Sequence, residues 1–223
     1  MNYDFSWIIV ERALPKLFDG LLVSLQLTVW ANVIGLTAGF LLALCAISRF
    51  RVVRWLAVAY IEVFRCTPAL IQIVWFYFCV PMIFGVWWSG FLMGVLALGM
   101  NLTAFNAEAY RAAIQTVPSS HLDASVALGL GPVVSTLLVV LPQALIIAIP
   151  VLMTNAIGIF QQSALVALIS VEDLVYQGRI LAGETYRPIE ILSTVAVFYL
   201  AISIPMSQLV GFFESRVARM LGR

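Results

Sequence analysis

Charge is what this sequence has least of. Asp, Glu, Lys and Arg make up 10% of its 223 residues, and the net charge is +1. Such a balance offers no basic footprint for nucleic acid. Cysteine is scarce too. Cys45, Cys66 and Cys79 all fall in apolar stretches and read as free thiols packed as small hydrophobes, not as a disulfide set or metal site. The single histidine, His121, has no Ser, Cys or carboxylate partner evident in the sequence, so no catalytic role is expected of it. No G-x-x-x-x-G-K motif followed by Ser or Thr occurs, which excludes nucleotide hydrolysis by that route. No internal repeat is visible, which argues against an inverted-repeat carrier. The amino terminus carries acids and aromatics instead of the positive region of a cleavable leader, so the first apolar run is expected to remain.

What is abundant is apolar. Hydrophobic residues reach 63% of the chain, and the mean hydropathy is +1.05. A soluble domain does not approach this composition. A bilayer core needs about 20 apolar residues per helix. Five stretches qualify: 21–47, 56–83, 91–114, 133–160 and 189–213. They lack the apolar/polar alternation of barrel strands, so the fold class is all-α integral membrane with five transmembrane helices. Arg49, Arg51 and Arg54 follow the first span, Arg111 ends the third, and Arg216, Arg219 and Arg223 follow the fifth, whereas 84–90 carries no charge. By the positive-inside rule the C-terminus is cytoplasmic and the N-terminus outside. Residues 1–20 are then expected to form an outer amphipathic segment, 21–213 the transmembrane domain, and 214–223 a cytoplasmic basic tail.

The loop between the third and fourth spans has helix punctuation. Pro118 stops the third span, Ser120 can cap a new helix with Asp123 three residues on, and Gly129 suits the left-handed position after its last turn. Gly131-Pro132 is expected to block re-entry into helix. Leu122 and Val126 share one face, while Ala124, Ala127 and Leu128 form a mostly small flank. The result is a two-turn helix on the water side, suited either to docking or to an ordinary connecting turn.

A resemblance favours docking. Asp123-Ala124-Ser125, Gly129, Val139, Leu141 and Pro142 keep the spacing of the "EAA" loop in membrane subunits of ABC importers, with Asp, Ser and Val standing where that pattern has Glu, Ala and Ile. Glu62, Arg65, Thr67, Pro68 and Gln72 resemble a stretch of the polar amino-acid permeases. So do Ala107, Glu108, Arg111, Gln115 and Pro118, and likewise Leu141-Pro142-Gln143-Ala144, Pro150, Asn155 and Phe160-Gln161 with Ser163. The resemblance covers nearly the whole chain and lies nearest glutamate/aspartate-type permeases. It implies a multi-pass subunit of a bacterial inner membrane. Its partners would be cassette ATPases, a second permease subunit (the same chain or another) and an external amino-acid-binding protein. ATP would sit on the partner, with no cofactor in this chain. Ser120, Asp123, Ala124, Ser125 and Gly129 would form the ATPase-coupling loop.

Polar groups inside the spans are costly and therefore informative. Glu62 and Arg65 stand three apart on one helical face and are expected to pair, either as a structural ion pair or at the substrate. Thr67-Pro68 is expected to kink the second span and free backbone carbonyls. Amides can hold a zwitterion without the desolvation of a full charge, or bond helix to helix. The translocation-path candidates are Glu62, Arg65, Thr67, Pro68, Gln72, Asn101, Gln143, Asn155 and Gln161, with Pro68, Pro142 and Pro150 as flex points. Gly35, Gly39 and Ala43 make a small-residue helix-packing face, with the partner subunit as one candidate for what it meets. Two other functions are open: an ATP-independent carrier or channel, and an intramembrane enzyme, for which no catalytic pair is visible.

Overall fold

A computed structural model describes residues 4–220, so Met1 to Tyr3 of the N-terminal segment and Arg223 of the basic tail lie outside the described residues. All regular structure among these residues is helical. Helix α1 runs Trp7–Ala46, α2 Arg51–Cys66, α3 Ala69–Phe84, α4 Gly90–Thr116 and α5 Ser119–Ala127. Helix α6, Pro132–Ser135, continues through a π-helical turn, Thr136–Val140, into α7, Leu141–Gln162, and a 3₁₀ extension, Ser163–Ile169. Helix α8 covers Leu174–Thr185 and α9 Pro188–Met220. Four of these units are long and apolar enough to cross a membrane, and the bent pair α2–α3 is the fifth candidate.

Three expectations need correction. Helix α1 does not stop at residue 20. The segment expected to lie apart continues unbroken into the first span, because Pro15 is accommodated within the helix. The second span is not one helix with a kink. Thr67 and Pro68 are both extended (ψ 138° and 135°), and α2 and α3 meet at 105°. Proline removes the amide that would continue the ladder and pushes the residue before it out of helical geometry. Lastly, Gly131-Pro132 does not block helix. Pro132 begins α6, where its missing N–H costs nothing.

Helix α4 is the central element, buried along most of its length and packed against α1. The stripe Gly35, Gly39 and Ala43 is a helix-packing face, and it meets α4 of the same chain. A Cβ on Gly39 would stand 2.9 Å from Asn106 Cβ and 3.1 Å from the Thr103 carbonyl oxygen. Small residues let two backbones approach where lipid offers no hydrophobic drive. Gly39→Val is therefore expected to cost about 1–3 kcal/mol through overpacking. It should read out as a lower midpoint in thermal unfolding of the detergent-solubilised chain.

At the opposite end of the bundle, Asp173 caps α8 by accepting from the Tyr176 amide at 2.9 Å, while Ser24 on α1 accepts from the Leu174 amide at 3.2 Å. Asp173 is fully buried, and its Oδ2 has no hydrogen-bond partner among the described residues. Burial pushes its carboxyl up from 3.8 to about 6, against the lowering effect of the Tyr176 and Val175 amides. A raised carboxyl means that the folded chain binds more protons than the unfolded one. Its contribution is therefore fully present below about pH 4 and is lost as pH rises through about 6. Asp173→Asn keeps the acceptor for Tyr176 and removes the titration. Melting midpoints followed from pH 4 to 7 should show that component of the decline in the parent and not in the variant.

Candidate functional site

Helix α5 is built as a short, closed unit fastened to the fourth span. It begins one residue before the expected cap. Pro118 occupies the N-cap position, Ser120 lies exposed in the first turn, and no side chain caps the start, because a proline followed by Ser119 already sets the entry geometry. The end is as expected. Gly129 adopts φ +76°, its amide donates to the Val126 carbonyl at 2.9 Å, and the Leu130 amide donates to the Ser125 carbonyl at 3.1 Å. These two bonds form a Schellman closure.

Two side-chain bonds join this unit to the span that follows. Ser125, buried, donates its hydroxyl to Ser135 at 2.8 Å, and His121 Nδ1 lies 2.8 Å from Gln143 Oε1. Gln143 also donates to the Val139 carbonyl at 2.9 Å, one bond inside the stretch where the π turn interrupts regular helix. Gln143 thus ties α5 to α7. Asp123, Ala124 and Gly129 are exposed, and so are Leu122 (43%), Val126 (62%) and Leu128 (80%). Exposed apolar side chains this dense on so short a helix serve a partner better than they serve water.

The break in the second span is held by amides. Gln72 Nε2 donates to the Phe64 carbonyl at 2.9 Å, the Thr67 carbonyl at 3.1 Å and Thr67 Oγ1 at 2.5 Å. Asn101 on α4 donates to Gln72 Oε1 at 3.1 Å and to the same Phe64 carbonyl at 3.2 Å. Both amides are buried, and they satisfy the carbonyls that Pro68 leaves without donors. Further along α4, Asn106 Oδ1 accepts from Asn155 at 2.9 Å, and Asn106 Nδ2 is buried without a hydrogen-bond partner among the described residues.

Glu62 and Arg65 do not form the expected pair. The ion pairs among the described residues include Glu108–Arg111 on α4, where both guanidinium Nε and Nη2 reach the carboxylate, but none between Glu62 and Arg65. Arg65 sits in the last turn of α2 and turns toward α4, its guanidinium 5.8 Å from the Phe105 ring centroid. Glu62 accepts from Cys66 Sγ at 3.6 Å, and Cys66 is exposed instead of packed. Arg65 lies in the field of Glu108, and Glu62 in that of Arg111, so four charges face one another across α2 and α4. Glu62 and Arg65 are solvent-exposed in the isolated chain.

Gln161, expected on the path, lies in a polar seam whose hydroxyls the sequence reading does not single out. Between α7 and α9, Gln161 joins Thr154, Tyr199, Ser203 and Ser207 along two adjoining cavities of about 550 and 410 Å³. Ser203 Oγ and Gln162 Oε1 are buried without hydrogen-bond partners among the described residues. The signal was present: hydroxyls at 199, 203 and 207 repeat every four residues in an otherwise apolar span.

Comparison with known proteins places this arrangement. Residues 35–219 match the model of the family described as binding-protein-dependent transport system inner membrane component. The glutamate/aspartate import permease protein GltK of Escherichia coli O157:H7 is 33% identical over 97% of this chain and all of its own length. The arginine transport system permease protein ArtQ of Bacillus subtilis is 34% identical over 89% of this chain and 90% of its own. The crystal structure of an amino acid ABC transporter with histidines superposes with a TM-score of 0.89 at 34% identity, covering 97% of this chain and 100% of that one.

Proposed function

The chain belongs to the family of binding-protein-dependent transport system inner membrane components, as a multi-pass permease subunit of an ABC amino-acid importer, and on that premise we propose how it works. The exposed charges Glu62 and Arg65 carry the reading. A charged side chain in a span does not face lipid, so this face belongs to a water-filled path or a second permease subunit. The path runs past the charges on α2 and α4 and along the Gln161–Ser203 seam. Thr67, Pro68, Gln72, Asn101 and Asn155 hold the helices that flank it.

The N-terminus lies outside and the C-terminus in the cytoplasm. Helix α5 is the coupling helix, receiving a separate cassette ATPase on its Leu122–Val126 face, with Leu128 at its exposed end. The Ser125–Ser135 and His121–Gln143 bonds pass that movement to the π turn, a natural place for a helix to flex. An external binding protein delivers the cargo. Polar amino acids, acidic ones first, are the substrate class, supported by full-length similarity to a glutamate/aspartate permease and by Arg65, an exposed cation that forms no ion pair among the described residues.

Purification of the tagged chain in mild detergent should recover a cassette ATPase and one or two kinds of permease chain. ATP-dependent uptake of labelled glutamate should be competed by unlabelled aspartate more strongly than by arginine. Recovery of the chain alone, with uptake in liposomes lacking ATP, would show a self-sufficient carrier instead.

A further inference from the structure

We propose that the first two turns of α2 form a binding site for an anionic phospholipid. Arg49, just before α2, and Arg51 and Arg54 within its first turn lie within six residues of chain, all three exposed, and none has an ion-pair partner among the described residues. Arg49 lies over the Phe50 ring, 5.2 Å from its centroid. Arg51, Arg54, Trp55 and Val58 fall at i, i+3, i+4 and i+7, on one helical face. Together with Val52 they line a shallow, mostly apolar groove. Val52 and Trp55 are each about 70% exposed. Glu62, the first acid along α2, stands about 12 Å beyond Arg54 and does not neutralise the cluster.

The groove therefore joins two chemistries. Guanidinium forks suit a phosphate diester, and Trp55 with the two valines suits the glycerol and upper acyl region beside it. Helix α2 is anchored on the bundle by Ala57 and Ile61, leaving its first six residues uncovered where the chain enters the bilayer. At that depth the surrounding solvent is lipid. An uncompensated triple cation selects a headgroup of net negative charge over a zwitterionic one. The site takes its leaflet from the orientation proposed above, but its lipid selectivity does not depend on which side it faces.

Native mass spectrometry of the detergent-solubilised transport complex tests this, with dioleoyl phosphatidylglycerol and dioleoyl phosphatidylcholine titrated separately. The parent complex should retain phosphatidylglycerol in preference. Arg51→Gln with Arg54→Gln should weaken that retention about tenfold or more. The Arg51→Lys, Arg54→Lys pair should restore most of it, and Trp55→Ala should weaken it with the arginines intact. Arg216→Gln with Arg219→Gln, which removes the same charge from the end of α9, should leave it unchanged. Equal weakening by both glutamine pairs, equal retention of the two lipids, or no lipid on any variant because another chain covers the groove would each overturn the site. The detergent assay reads the groove whichever way the chain faces, so an error in orientation would not pass for a failure here.

Discussion

Gly129→Asp is expected to lower uptake about a hundredfold or more while the chain remains in the membrane at near-normal abundance. Gly129 closes α5 at φ +76°, and a Cβ there would meet nothing within 4 Å. The fold therefore loses only the left-handed penalty of about 1–2 kcal/mol, too little to unfold a domain stable by about 5–15 kcal/mol. What changes is the docking surface. A carboxylate appears beside Leu128, at the exposed apolar end of the helix that is to receive the cassette. Gly129→Ala separates the two effects, because it carries the strain without the charge and should cost less than about tenfold. Normal uptake by Gly129→Asp at normal abundance would remove the coupling role from α5.

Gln72→Leu is expected to have the largest effect within the membrane region. One carboxamide nitrogen serves the Phe64 carbonyl, the Thr67 carbonyl and Thr67 Oγ1, and its oxygen receives Asn101. Leucine keeps the volume and leaves buried carbonyls short of donors. Interhelical bonds in membranes average under about 1 kcal/mol each, but a buried group left unpaired costs about 1–3 kcal/mol. A loss of about 2–3 kcal/mol follows, together with relaxation of the 105° angle between α2 and α3. Thermal unfolding of the complex should shift down, and uptake should fall with it. Asn101→Leu should act on the same unit, so the double variant should cost clearly less than the sum of the two. Strict additivity would mean that the two amides do not form one clamp.

Much of this was legible in the sequence because it depends on local rules. Apolar length gave the spans, Gly129 gave the end of α5, and Thr67-Pro68 marked the site of the break. The depth of the break was not legible, because it depends on Asn101, which reaches Phe64 from another helix. Gly35 and Gly39 announced a packing face but not its partner, since a stripe of small residues looks the same whether it meets α4 or another chain. Helix spacing alone predicted a Glu62–Arg65 pair. The structure turns Arg65 toward Phe105 and the charges on α4, a choice made by tertiary neighbours and not by spacing. Ser120 suits a cap because Ser is the commoner N-cap residue, but Pro118 with Ser119 starts the helix earlier.

The most direct test of the central claim is a site-specific cross-link from α5. Val126→Cys, in a background with Cys45, Cys66 and Cys79 replaced by alanine, should cross-link to the co-purifying cassette ATPase and do so differently with and without ATP. Trp87→Cys, in the loop between α3 and α4, should not reach the cassette in either state. That pattern would establish α5 as the contact through which ATP hydrolysis reaches the spans and would fix which side faces the cytoplasm. Cross-linking from Trp87→Cys, or none from Val126→Cys in an intact complex, would contradict both.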